Sequence, residues 1–146
     1  MKIYLTSDHG GFELKEKVKA FLAEQAVDLG AKNLDPQDDY PVFAFRAAQK
    51  VATDEGSIAF LFCRSGSGMA IAANKVKGIR AVEVYNQVIA EHAVSHNHAN
   101  VFTFGADFIE EKELFASILS ILKSKIDQSP RHLRRLAQIK NYEDQH

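Results

Sequence analysis

Ser57-Ile58-Ala59-Phe60-Leu61-Phe62-Cys63 runs directly into Arg64-Ser65-Gly66-Ser67-Gly68. The first part is nearly all apolar, the pattern of a strand buried on both faces of a parallel sheet. The second part is a glycine-serine loop, and Met69–Lys75 beyond it has helical character. A buried strand, a tight loop and a helix in that order form the opening half of a βαβ unit.

The same alternation extends in both directions. Toward the N-terminus, Lys2–Ser7 reads as a first strand, and Gly10-Gly11 breaks it. Phe12–Gln25 then carries Leu14, Val18, Phe21 and Leu22 at helical spacing. A weak strand around Val27–Leu29 and a turn-rich segment, Gly30–Asp39, precede a helix that opens at Pro41, where proline fits the first turn. Toward the C-terminus, Ala81–Tyr85 and Val101–Phe104 read as strands, separated by a helix over Gln87–Ser95. Glu110–Lys125 is a long amphipathic helix, and Pro130 opens a last one, basic on one side, that runs to about Asn141. No repeat, low-complexity segment or linker divides the chain. The pattern predicts one α/β domain over residues 1–146: a doubly wound, Rossmann-like fold with five parallel strands and helices on both faces.

Composition narrows the function classes. A chain of 146 residues, 46% hydrophobic and 25% charged, is enough for an ordinary core without metal or disulfide staples. Its net charge of −1 argues against an electrostatic nucleic-acid binder. No run of eighteen apolar residues suggests a membrane span. The N-terminus turns polar by Thr6-Ser7-Asp8, too soon for a secretory signal, and the single cysteine, Cys63, suits a reducing compartment. A cytoplasmic location is expected. One basic knot, Arg131-His132-Leu133-Arg134-Arg135, stands out and points to a small anion held at a defined place.

Doubly wound sheets bind ligands beyond the carboxyl ends of their strands. Asp8-His9-Gly10-Gly11 follows the first strand, and Cys63–Gly68 ends the apolar one. His96-Asn97-His98-Ala99-Asn100 lies in the turn before the last strand, and all three segments are expected at one edge. The amides of the Arg64–Gly68 loop, with the Ser65 and Ser67 hydroxyls beside them, can form an anion-accepting nest. The loop lacks the Gly-x4-Gly-Lys spacing of a nucleotide phosphate loop. A nest beside a thiol suits removal of a proton from carbon, the amides holding the resulting oxyanion. Equally, Cys63 could be a small apolar residue that ends a buried strand.

Asp8 and His9 suit sugar hydroxyls and phosphate, although a helix-capping Asp explains the first nearly as well. His92, His96 and His98 raise the question of metal, but no His-Glu-x-x-His pattern is present and no metal site is expected. His98 alone reads as a solvated turn residue. Arg131 and Arg135 share a helix face that could grip phosphate or simply be a solvated basic surface.

These segments occur together in a recognisable order. Ser7-Asp8-His9-Gly10-Gly11-Phe12-Glu13-Leu14-Lys15, Asp39-Tyr40-Pro41 and Cys63-x-Ser65-Gly66-x-Gly68-Met69-x-Ile71-Ala72-Ala73-Asn74-Lys75 resemble the ribose-5-phosphate isomerase type B and galactose-6-phosphate isomerase superfamily. Gly78-Ile79-Arg80-Ala81, His96-Asn97-x-Ala99-Asn100-Val101 and Arg131-His132-x-x-Arg135 continue the match over nearly the whole chain. The type B enzymes resemble it best.

The resemblance implies a cofactor-free, metal-independent interconversion of ribose 5-phosphate and ribulose 5-phosphate through a cis-enediolate. In that reading Cys63 matches the general base, and Ser65 and His96 match groups that open the sugar ring. Asn97 and the amides of Gly66 and Gly68 match the enediolate stabilisers. Asp8 matches a hydroxyl ligand, Tyr40 a pocket wall, and His9, Arg131 and Arg135 the phosphate ligands. Arg64, Ser67 and His132 are further candidates. The family implies a homodimer, or a tetramer of paired dimers, with shared sites to which the partner supplies His96 and Asn97. The C-terminal helix is expected to pack on that partner.

The chain also departs from the pattern. Arg64 replaces a usual glycine, and Asp107 replaces an arginine that often helps bind phosphate. Ser129-Pro130 replaces Gly-Gly, and His98 stands where Asp or Asn is common. These departures leave two alternatives open: an isomerase of a six-carbon phosphate such as allose 6-phosphate or galactose 6-phosphate, and a non-catalytic phosphosugar-binding paralogue.

Overall fold

The computed structural model describes all 146 residues, Met1–His146. Five strands run parallel: β1 (Ile3–Ser7), β2 (Ala26–Asp28), β3 (Ile58–Cys63), β4 (Ala81–Glu83) and β5 (Val101–Gly105). Their spatial order is β2-β1-β3-β5-β4. Six helices accompany them: α1 (Phe12–Leu22), α2 (Tyr40–Thr53), α3 (Ser67–Ala73), α4 (Gln87–Ser95), α5 (Glu111–Lys123) and α6 (Pro130–Gln145).

Strand alternation splits the core into two layers. Ile3, Leu5, Phe60, Phe62, Phe102 and Phe104 face α1, α4 and α5. The phenylalanines fill that layer, with Phe62 stacked on Phe104 at 5.5 Å between centroids. Tyr4, Ala59, Leu61, Cys63 and Val101 face the opposite way, beneath α2 and α3. Those two helices present small residues, Ala44, Ala47, Ala48, Ala72 and Ala73, and so lie close to the sheet. Lys15 is fully buried, and its ammonium bonds both Asp28 oxygens at 3.0 and 3.1 Å, tying α1 to the end of β2.

Several limits differ from the sequence reading, each for a local reason. Helix α1 stops at Leu22, and a single 3-10 turn covers Ala23–Gln25, because Ala23 adopts a positive φ of 49°. Helix α3 begins at Ser67, two residues before Met69. Strand β4 ends at Glu83, and α4 follows with Asn86 capping the Ile89 N–H at 2.9 Å. Helix α6 continues to Gln145, past Asn141.

Helix α6 buries none of its residues, and Leu133, Ile139 and Tyr142 stay exposed. Polar contacts hold it: Asp144 pairs with Lys77 at 2.9 Å, and the Glu143 carboxylate accepts the Gly78 N–H at 3.1 Å.

The strand order creates the crevice that matters. Strands β1 and β3 are neighbours, but β1 leads through α1 to β2 on one side, and β3 leads through α3 toward β4 on the other. The loops after β1 and β3 therefore diverge at the carboxyl edge of the sheet, the usual place for a ligand in this architecture.

Candidate active site

Cys63 ends β3 with its sulfur in the α2–α3 layer, buried, and the Gly66 N–H donates to Sγ at 3.1 Å. The loop can fold back this way because Gly66 has a φ of +86°, a region that side chains rarely adopt. The Ser67 N–H donates to Ser65 Oγ at 3.3 Å, and the Ser67 hydroxyl donates to Glu83 Oε2 at 2.8 Å. The Tyr40 ring lies against Gly68, where a Cβ would sit 2.8 Å from ring carbons, so any side chain at 68 would displace it.

The loop after β1 completes this wall. Asp8 is buried, and its Oδ1 accepts the Gly11 N–H at 3.1 Å. Burial raises its carboxyl pKa, against the pull of that hydrogen bond. His9 Nδ1 lies 2.7 Å from Asp38 Oδ1, which also accepts the His9 backbone N–H at 2.9 Å. The Asp38 hydrogen bond raises the His9 pKa and favours its charged form. Arg64 folds over the same loop, its Cγ filling the space where Gly10 would carry a Cβ. Its Nε donates to Asp107 Oδ2 at 2.9 Å, so the two unusual residues form one ion pair.

The second group of candidates lies elsewhere. Helix α4 carries the chain back across the sheet, so His96–Asn100 sit at the edge where strands begin. The Asn100 carbonyl accepts the Ala59 N–H at the start of β3, whereas Cys63 pairs with Gly105 at the far end. Four residues of strand, at ~3.3 Å each, separate those two levels by roughly 13 Å. The expectation that all three segments gather at one edge of a single chain is therefore wrong: the turn precedes a strand instead of following one. His96 is joined there by His132, their rings 4.4 Å apart at 33°, so Arg131 and Arg135 at the start of α6 belong to the same edge. Asn97 is exposed beside them. His98 is not a solvated turn residue, since it is half-buried and its Nε2 bonds the Asp127 carbonyl at 3.0 Å.

One chain thus presents two separate groups of candidate residues. The carboxyl edge holds Cys63, Ser65, Gly66, Gly68, Asp8, His9 and Tyr40, with Arg64 and Ser67. The opposite edge holds His96, Asn97, Arg131, His132 and Arg135. Three residues here escaped the sequence reading: Asp38 holds His9, Glu83 holds Ser67, and Asp127 holds His132 Nδ1 at 3.0 Å. The acids of Asp35-Pro36-Gln37-Asp38-Asp39 were visible, but only the fold singles out one. Two groups present ligand atoms within 4.8 Å of one another, Asp8 with His9 and Asp38, and His96 with Asp127 and His132. These are where a cation could be held.

The match to known proteins runs along nearly the whole chain. The family described as Ribose/Galactose Isomerase matches residues 3–139. The chain belongs to this family. Among its relatives, ribose-5-phosphate isomerase B of Mycolicibacterium paratuberculosis is 36% identical, covering 100% of this chain and 94% of the relative. The probable ribose-5-phosphate isomerase B of Mycoplasma pneumoniae is 38% identical over 97% of this chain and 94% of its own. The structure of ribose-5-phosphate isomerase B from Mycoplasma genitalium with bound ribulose-5-phosphate superposes with a TM-score of 0.94 at 36% identity. It covers 99% of this chain and 97% of that one.

Proposed function

We propose that this family member interconverts ribose 5-phosphate and ribulose 5-phosphate. The observation that carries the proposal is the buried Cys63 sulfur, hydrogen-bonded to the Gly66 N–H of the glycine-serine loop, with the Tyr40 ring against Gly68 of the same loop. Ser65 and His96 assist opening of the furanose. As thiolate, Cys63 takes the proton from C2 of the open-chain aldose, and the electron pair moves to form the cis-enediolate. Asn97 and the amides of Gly66 and Gly68 hold the developing oxyanion, the largest contribution such a site can make. Cys63 then returns the proton to C1, and the C2 hydroxyl proton passes to the O1 oxyanion, which leaves a ketone at C2 and a hydroxyl at C1. Asp8 binds a sugar hydroxyl, and His9, Arg131 and Arg135 bind the phosphate, the arginines with forked hydrogen bonds. No metal enters this scheme.

A single chain cannot run these steps, because Cys63 and His96 lie at opposite edges of its sheet. The site is therefore assembled between two copies, the carboxyl edge of one facing the His96 edge of the other, and the active species is a homodimer. No helix is long and apolar enough to cross a membrane. We place the enzyme in the cytoplasm, where its single thiol stays reduced.

The test is an assay of purified protein on ribose 5-phosphate, allose 6-phosphate and galactose 6-phosphate. Turnover should be highest with the pentose, and Cys63→Ala should lower it by ~10²–10⁴-fold, the worth of a positioned base. A Cys63→Ala enzyme that keeps more than about a tenth of turnover would refute the assignment of the base. Preference for a hexose phosphate would move the substrate and leave the chemistry.

A further inference from the structure

At the His96 edge, the segment between α5 and α6 does more than connect helices. The Asp127 N–H donates to the Ser95 carbonyl at 2.9 Å, and the Asp127 carbonyl accepts from His98 Nε2 at 3.0 Å. Its backbone is thus fastened on both sides of His96. Its carboxylate Oδ2 lies 3.0 Å from His132 Nδ1, and the Ser129 hydroxyl lies 3.2 Å from the same nitrogen. The Ser129 backbone N–H in turn donates to Asp127 Oδ1 at 2.8 Å and, as the main influence, holds that carboxyl below its ordinary pKa. His132 is only 12% exposed, and with Nδ1 engaged its ring can neither turn over nor swing away. That ring lies 4.4 Å from the His96 ring, tilted by 33°, and the His92 ring lies 4.6 Å from His96, tilted by 37°. His96 therefore has two imidazole neighbours, one on α4 and one on α6, and only the second has a carboxylate behind it.

We propose that Asp127 and His132 are positioning residues that clamp His96 at the angle needed to open the sugar ring. This rests on the reading above, in which His96 serves ring opening and Cys63 of the facing copy moves the proton. Neither residue touches the sugar in this scheme. His132 acts through its ring contact with His96, and Asp127 acts through His132. A loosened His96 keeps its chemistry but loses its aim, and misplacement by about 1 Å can cost ~10²-fold in rate.

Ribulose 5-phosphate offers a way to separate the two steps, because its C5 oxygen carries the phosphate and it cannot close to a furanose. Exchange of its C1 proton with D₂O, followed by NMR, reports enediolate formation at Cys63 without ring opening. Net conversion of ribose 5-phosphate needs both. His132→Asn and Asp127→Asn should each lower net conversion at least tenfold while C1 exchange stays within about twofold of wild type. Asp127→Asn lies in a half-exposed linker, and its thermal unfolding midpoint shows whether the fold is retained. Parallel loss of exchange and conversion, or no loss of either, would overturn the clamp. If the wild-type enzyme itself showed no exchange, the isomerase reading would fall and the clamp with it.

Discussion

His9 and Asp38 show how one contact sets a condition for binding. The hydrogen bond from Asp38 raises the His9 pKa above its usual 6.5, so the imidazolium persists to higher pH. A raised pKa means that the charged, phosphate-binding form is complete below the ordinary value and is lost as pH climbs through the raised one. The Michaelis constant for the phosphosugar should therefore rise on the alkaline side as His9 discharges. In Asp38→Asn that rise should begin at lower pH, with turnover at saturating substrate little changed. Initial rates between about pH 6 and pH 9 would check it, and superimposable profiles for both enzymes would remove His9 from the phosphate site. Asp38 could not be chosen from sequence, since its partner is 29 positions away and three acids crowd the same loop.

Arg64 and Asp107 make a second residue-scale case. Both are substantially exposed, so their 2.9 Å pair contributes at most about 1 kcal/mol to stability. Its effect should fall on the ligand instead. Arg64 lies against Gly10, next to His9, and pairs with Asp107; under the proposed mechanism it would offset that carboxylate near the phosphate. Arg64→Gly should raise the Michaelis constant about tenfold and change turnover less, the pattern of lost uniform binding. Asp107→Arg should soften that defect, and the two changes together should not be additive. Strict additivity in the double-mutant cycle would break the link between them.

At the scale of elements, the strands with the most continuous apolar runs were readable and the path between them was not. β1, β3 and β5 are buried on both faces, so their residue types alone identify them. The order β2-β1-β3-β5-β4 depends on a backward step from β4 to β5, and no residue in the chain encodes it locally. His96 lies at the far edge for a separate reason: β4 and β5 run parallel, so α4 must carry the chain back to where β5 begins. Lys15 shows the same limit in the core. It lies on a helix in an otherwise amphipathic pattern, and only β2 supplies the Asp28 that makes its burial tolerable. Burial pushes the Asp28 carboxyl up, but hydrogen bonds from Lys19, the Gly30 N–H and Lys15 outweigh it and hold the pKa at about 2. A depressed carboxyl contributes stability above its ordinary pKa and loses it as pH falls toward about 2. Asp28→Asn leaves a buried ammonium without its main counterion, a loss at the lower end of ~3–5 kcal/mol. The unfolding midpoint at neutral pH should fall by roughly 6–12 °C. That gap should shrink as the wild type is acidified below about pH 4, where the Asp28 carboxyl of the unfolded chain, at its ordinary pKa of 3.8, takes up a proton. A variant as stable as wild type at pH 7 would show that Glu16 and the Ala31 carbonyl, the other groups near the ammonium, suffice.

At the scale of the whole molecule, the separation of the two groups of candidate residues becomes a prediction about assembly. Cys63 and His96 lie at opposite edges of one sheet, so under the proposed mechanism each site takes its base from one copy and its ring-opening imidazole from another. Closed two-fold symmetry then places two such sites in a dimer, each using opposite edges of the two sheets. Cys63→Ala and His96→Ala should each be nearly inactive as pure proteins. When the two are unfolded together and refolded in equal amounts, half of the dimers should be mixed. In a mixed dimer one site carries both substitutions and the other carries neither, so activity should return to roughly a quarter of wild type. Heterodimers can be counted by mass or by a tag on one chain, which separates failed pairing from failed rescue. If mixed dimers form and remain inactive, the two edges do not serve one site. The exposed face of α6 would then need another occupant, and His96 would have to act, if it acts at all, without the thiol.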